Sequence, residues 1–306
     1  MENTLSSSSY KCPSCDGIHT KNLGLLRKVD GIIDLPFPGH LYKCKSCSLL
    51  FRRPYVTESK LHKIYNEYPV NTLPGKDRRI DFDLASNAIK NFFSSGSILD
   101  IGCSTGDFLN KLPASFQKYG VELSEPAQSV AKQHGIEIVG SSLNHLEIYQ
   151  HMFHIITFID VIEHLPKPME SLKNAAKLLL PGGIIIISTG NTDALPWRLM
   201  RLDYWYYFPQ HVSFFNLDWF KWACKELKLN IVKVNKFSHS NSKSDNLWYP
   251  FSRCLAFWVW RNTGKHPPLQ KFISSFYPFN RICRWSSPPE TYFWKDHMLL
   301  VLNSMK

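Results

Sequence analysis

An apolar run that ends in an acid and turns through two glycines, Ile98-Leu99-Asp100-Ile101-Gly102-Cys103-Ser104-Thr105-Gly106-Asp107-Phe108-Leu109, leaves few folds open to this chain. It reads as a strand, a tight turn and the start of a helix. Gly102 and Gly106 allow positive φ and a close approach to a bound molecule. The spacing G-x-x-x-G is not the G-x-G-x-x-G that cradles a pyrophosphate, and no Lys-Ser/Thr of a P-loop follows. A ligand without phosphates is therefore favoured at this turn, and Asp100 at the strand end suits a cationic one.

About twenty residues on, Tyr119-Gly120-Val121-Glu122-Leu123-Ser124 reads as a second strand ending in an acid. An acid at that place can accept both hydroxyls of a ribose. Phe153–Ile159, followed by Asp160-Val161-Ile162-Glu163-His164-Leu165, is a buried strand running into polar residues. Leu178-Leu179-Leu180-Pro181-Gly182-Gly183 closes a helix, and Ile184–Thr189 follows as an apolar strand. In this order and spacing the four segments resemble those of class I S-adenosylmethionine-dependent methyltransferases, over roughly 81–234.

Strands are expected near 97–101, 117–122, 136–139, 153–159, 183–189, 230–234 and 296–302, with helical patterns near 80–93, 105–112, 126–134, 168–179 and 219–227. Alternating strands and helices predict an α/β fold with a parallel sheet and right-handed crossovers. The resemblance implies a Rossmann-like seven-stranded sheet in the order 3-2-1-4-5-7-6 with helices on both faces. The expected organisation is a zinc-binding module over 1–55 with a disordered start, a linker over 56–80 and a methyltransferase domain over 81–306. Within that domain, 237–293 is an aromatic, basic insertion.

The module rests on Cys12-Pro13-Ser14-Cys15 and Cys44-Lys45-Ser46-Cys47, two C-x-x-C pairs separated by 28 residues. Four thiolates complete a tetrahedral zinc site of structural type, a zinc-ribbon-like arrangement. So short a segment cannot build an adequate core alone, so metal would hold it together. The chain opens Met-Glu-Asn-Thr-Leu-Ser-Ser-Ser-Ser, without the basic and apolar regions of a secretory signal. A cytoplasmic protein follows by default, and there paired cysteines read as metal ligands before disulfides. No apolar run is long enough to span a membrane.

The net charge of +11 is uneven: +6 over 1–80, −1 over 81–236 and +6 over 237–306. Basic flanks around a neutral centre suit an anionic small-molecule acceptor, a nucleic acid or an acidic membrane surface. The aromatic and basic residues of 237–293 allow peripheral membrane contact.

By resemblance, the methionine part of S-adenosylmethionine lies over Gly102, Cys103 and Gly106, with Asp100 near its amino group. Glu122 holds the ribose, Leu123 packs on the adenine, and Asp160 and Val161 line the cofactor's other side. Ser141 and Ser142 stand where an acid often faces the adenine amine. Two histidines compete as general base, since an imidazole titrates near working pH. His164 follows the fourth strand of the fold. His211 follows the aromatic loop Trp205-Tyr206-Tyr207, a candidate acceptor cover, and its surroundings resemble the E-H-x-S-x-F stretch of zinc-containing sugar C-methyltransferases, with Gln210 in place of the acid. The leading expectation is methyl transfer to a sugar or glycoconjugate precursor, at oxygen or carbon. The alternatives are an RNA base methyltransferase and a non-catalytic binding protein of the same fold.

Overall fold

The computed structural model describes residues 10–26, 39–54, 57, 66, 79–143, 146–204, 206–208, 210–239, 255, 259, 266–276 and 294–304. The serine-rich start, most of the expected linker, Trp205 and most of the 237–293 insertion lie outside the described residues.

The cysteine segment forms three antiparallel strands, β1 (Thr20–Leu25), β2 (His40–Cys44) and β3 (Leu50–Arg53). Beyond it come α1 (Ile80–Lys90), β4 (Gly96–Ile101), α2 (Asp107–Asn110), β5 (Phe116–Val121), α3 (Glu125–Gln133), β6 (Glu137–Gly140), β7 (Phe153–Ile159), α4 (Pro168–Leu178) and β8 (Leu179–Gly190). The chain continues through α5 (Leu195–Met200), β9 (Ser213–Phe214), α6 (Leu217–Leu227), β10 (Leu229–Phe237), α7 (Pro267–Ile273) and β11 (His297–Ser304).

Seven strands make the central sheet in the order β10-β11-β8-β7-β4-β5-β6. Strands β6, β5, β4, β7 and β8 run parallel, and β11 is inserted antiparallel between β8 and β10. In order of appearance within the sheet this is 3-2-1-4-5-7-6, the expected Rossmann-like methyltransferase topology. Strand side chains alternate between faces, and the two cores show it. Leu99 and Ile101 of β4, Ile185 and Ile187 of β8, and Met298, Leu300 and Leu302 of β11 pack on one face with α4 and α6. Ile98, Ile184, Ile186, Leu299 and Val301 face the other side, with α1, α2 and Ala131 of α3. Each of these isoleucines and leucines is almost fully buried, worth roughly 1.5–3 kcal/mol apiece before the cost of ordering.

The structure departs from the sequence expectation at three places. The helix after the glycine turn is a single turn, Asp107–Asn110, instead of a run to 112. The stretch read as a helix end at Pro181-Gly182-Gly183 lies inside β8: the pairing passes from Phe153↔Leu179 to Ile155↔Ile184, and the extra residues bulge out between them. Pro181 cannot donate to a sheet ladder, and a bulge removes the need. Third, β9 leaves the methyltransferase-like part and pairs with β3, giving the cysteine strands the order β1-β2-β3-β9.

Candidate active site

The parallel strands end at one rim, where open α/β sheets hold ligands. Asp100 closes β4, is buried, and accepts a hydrogen bond from Thr157 Oγ1 of β7 at 2.5 Å. Burial, with a contribution from Glu122, raises its pKa to about 7. Gly102 and Gly106 take φ of 73° and 83°. A Cβ on Gly102 would stand 2.5 Å from Val161 Cγ2, and one on Gly106 would collide with Ile136. The glycines thus let the turn lie flush against its own protein neighbours as well as against a ligand. Cys103 is buried under the turn, where a Cβ on Gly120 would strike its sulfur.

Glu122 follows β5 and is tied at both oxygens. Oε2 accepts from Ser104 N at 2.8 Å and Oε1 from Ser124 N at 2.7 Å. Burial raises its pKa, against the pull of these amide donors. Next to it Leu123, Ile138, Val139, Gly140 and Ser141 line an open pocket of about 470 Å³, which extends along α3 to Lys132. Asn66 Oδ1 reaches the start of α3, accepting from Glu125 N at 2.9 Å.

Across the glycine turn, Asp160 just after β7 has φ of 53°, in the left-handed region that aspartate enters at some cost in strain. Arg79 Nη2 donates to its Oδ2 at 2.6 Å while also bonding Asp81, and Asp160 Oδ1 is buried with no hydrogen-bond partner. His239 lies 4.0 Å from Asp81 and 3.9 Å from Asp160. Burial, then the Asp81 charge, raises Asp160 to about 6, and burial lowers His239 to about 4.

Glu163, fully buried, accepts from the Tyr206 hydroxyl and, at 3.0 Å, from Thr189 Oγ1. Burial, then the neighbouring Asp160, pushes it to about 7. The His164 and His211 rings meet edge to face, 4.6 Å between centroids. His211 Nδ1 lies 2.8 Å from Tyr206 O and must donate to it, which leaves Nε2 with the lone pair. Burial lowers His164 to about 4; burial and the neighbouring His164 hold His211 well below the ordinary imidazole value. Both rings are neutral at neutral pH. Further along the rim, Asp296 accepts from Tyr204 Oη at 2.6 Å and Ser238 Oγ at 2.8 Å. Burial opposes its charge, yet the adjacent His297 and these donors win and hold it near 2.

The four module cysteines also converge. Cys12 and Cys47 sulfurs are 3.5 Å apart, as are those of Cys15 and Cys44, and all four lie within 4.8 Å of one another. Sulfurs about 2.3 Å from a tetrahedral ion stand about 3.8 Å apart, so the set fits one. The donor atoms of Glu163, His164 and His211, and those of Asp81, Asp160 and His239, are similarly close. In the second of these groups the Arg79 guanidinium already supplies the positive charge.

The sequence profile of a family described as a methyltransferase domain matches residues 77–234. This chain belongs to that family. Ubiquinone biosynthesis O-methyltransferase from Hydrogenovibrio crunogenus is 29% identical over 123 residues, 38% of this chain and 49% of that protein. The protein of the same name from Colwellia psychrerythraea is 32% identical over 124 residues, 37% of this chain and 49% of its own. The chain spans about half the length of the curated relatives it matches. A possible histamine N-methyltransferase from Thermotoga maritima is a similar solved structure, with 17% identity and a TM-score of 0.47, covering 73% of this chain and 90% of its own.

Within this methyltransferase domain the sequence-predicted residues fall into three groups. Asp100, Gly102, Cys103, Gly106 and Glu122 share one turn, Leu123 opens the pocket beside it, and Asp160 and Val161 face it from β7. His164 and His211 meet beyond them. Tyr206 and Tyr207, read as part of an acceptor cover, are core residues 4% and 3% exposed, packed on Trp197. Sequence reasoning missed Arg79, Asp81, Glu163, His239 and the Asp296–His297 pair. Glu163 stood inside a quoted motif, and its carboxylate lies within 4.8 Å of the His164 and His211 ring nitrogens. Arg79 and His239 carried no local signal, because they reach the rim from chain segments far apart.

Proposed function

We propose that this protein transfers the methyl group of S-adenosylmethionine to a hydroxyl-bearing small molecule. One observation carries the reading: the buried Asp100 and the half-buried Glu122, which accepts from Ser104 N, flank the glycine turn, and burial raises both pKa values. Such a set is relieved by a cation, and the donor carries a sulfonium and an ammonium. Asp100 holds the ammonium end, with Gly102, Cys103 and Gly106 shaping the turn beneath it. Glu122 retains lone pairs for the ribose hydroxyls after accepting its two amides, and Leu123 packs on the adenine. Asp160 and Val161 close the far side.

Donor and acceptor held in line supply most of the rate enhancement. The acceptor hydroxyl gives up its proton to a neutral imidazole, His211 through Nε2 or His164 next to it. Tyr206 and Glu163 fix the His211 ring. An oxygen acceptor agrees with the relatives' names; no residue of the site favours a sugar or RNA. Cys12, Cys15, Cys44 and Cys47 hold a structural zinc ion, whose place in the core is to fix the module. Among the described residues no helix is long and apolar enough to cross a membrane.

Calorimetry with S-adenosylmethionine tests the pocket, and transfer of labelled methyl to hydroxylated aromatics, nucleotide sugars and RNA tests the acceptor. Saturable binding with transfer to a small hydroxyl compound is expected. Lack of binding overturns the reading, and transfer to RNA alone overturns its acceptor.

A further inference from the structure

The cysteine module runs by hydrogen bonds into the segment that carries His211. Leu50 and Phe51 of β3 pair with Phe214 and Ser213 of β9. Arg52 N donates to Val212 O at 2.9 Å, and Val212 N donates to Glu163 O at 2.8 Å. A main-chain path therefore joins the module to the turn that holds Glu163. The Arg52 side chain lies along this path, 2% exposed. Its Nη2 donates to Tyr207 O at 2.7 Å, its Nε has no hydrogen-bond partner, and among the described residues no carboxylate pairs with it. Burial lowers its pKa to about 10.

A buried guanidinium without a counter-ion is costly, and an apolar side chain of similar volume would fill the space with less penalty. What the cation does gain is one charge-assisted hydrogen bond to the loop next to Tyr206. That loop accepts the His211 ring proton at Tyr206 O and donates the Tyr206 hydroxyl to Glu163. Leu26 and Leu41 of the module pack on the same aromatic group, Trp197, Tyr204, Tyr206, Tyr207 and Phe214.

We propose that Arg52 is a positioning residue, which pins the Tyr206–Phe214 segment and through it the Glu163–Tyr206–His211 group, so that the cysteine module is a wall of the acceptor site. The inference rests on the methyl-transfer reading only for the word acceptor; the coupling itself is independent of it.

Full-length Arg52→Met and Arg52→Lys proteins test it, with three readouts: backbone amide exchange, the His211 ring signal in NMR, and S-adenosylmethionine affinity. In Arg52→Met, exchange across 206–214 is expected to quicken about tenfold or more while β4 stays protected. The His211 ring signal shifts in the same variant. Arg52→Lys, which keeps a cationic donor, restores part of both effects, and donor affinity stays within about twofold of wild type in both variants. Unchanged exchange in Arg52→Met overturns the proposal. So does an equal loss of protection in β4 and the loop, or Arg52→Lys behaving like Arg52→Met. Failure of the wild type to bind S-adenosylmethionine sinks the functional reading instead, and the exchange data still judge Arg52.

Discussion

Asp100 and Glu122 do different work although both are strand-end acids. Glu122 already accepts two backbone amides, so it shapes the turn. Asp100 has a single partner, Thr157, and burial leaves it largely protonated below neutrality. Asp100→Ala and Glu122→Ala should each weaken S-adenosylmethionine binding about tenfold or more, since charged hydrogen bonds are worth roughly 1.5–3 kcal/mol. His211→Ala should leave it near wild type. Equal affinities by calorimetry for all three variants would remove the pocket assignment.

The same raised pKa sets a pH dependence. An unfolded aspartate titrates near 4, whereas folded Asp100 titrates at about 7. Between those values the folded state keeps a proton that the unfolded state has lost, so this residue's contribution to stability falls as pH rises through the window. A cationic ligand prefers the ionised form. Its affinity should therefore rise with pH up to about 7 and then level, by at most about tenfold per pH unit. Calorimetry across the window checks it, and Asp100→Asn should flatten the rise.

At the scale of elements, α6 shows how a helix start is fixed locally. Asn216 Oδ1 accepts from Trp219 N at 2.9 Å, capping a helix that begins two residues before the apolar pattern that announces it. Trp219 is fully buried, and its Nε1 donates to Ser14 Oγ of the module at 2.9 Å. Asn216→Ala should cost about 1 kcal/mol in urea unfolding, and Asn216→Asp should restore most of it. An effect within experimental error would show that packing of Trp219 alone sets the helix start. The helix α7 leaves Leu269 and Phe272 exposed, with Phe276 just beyond it.

For the whole molecule, the module and the methyltransferase domain share a core. Cys12, Cys44, Cys47, Leu49 and Phe51 lie in one apolar cluster with Ile101, Phe215, Trp219 and Phe220. A metal held by the four sulfurs would then stabilise both parts. Thermal unfolding should be a single transition, and a chelator strong enough to strip zinc should lower its midpoint without splitting it. A low-temperature step for the module alone, or absence of zinc by elemental analysis, would contradict this.

The sequence by itself determined the sheet and the glycine turn. Their signals are local: apolar runs of strand length, acids at the run ends, and glycines where positive φ is required, as at Gly102 and Gly106. It also marked the four cysteines, because paired spacing survives without knowledge of the fold. Only the tertiary structure decided the cluster of side chains at the rim. Arg79, Glu163, Tyr206, His239 and His297 come from five separate segments and meet at the rim because the strands bring their ends together. Likewise, nothing local in Ser213-Phe214 announces pairing with β3. Two residues hold too little pattern to define a strand, and the pairing exists because a packed domain presents that edge to the module.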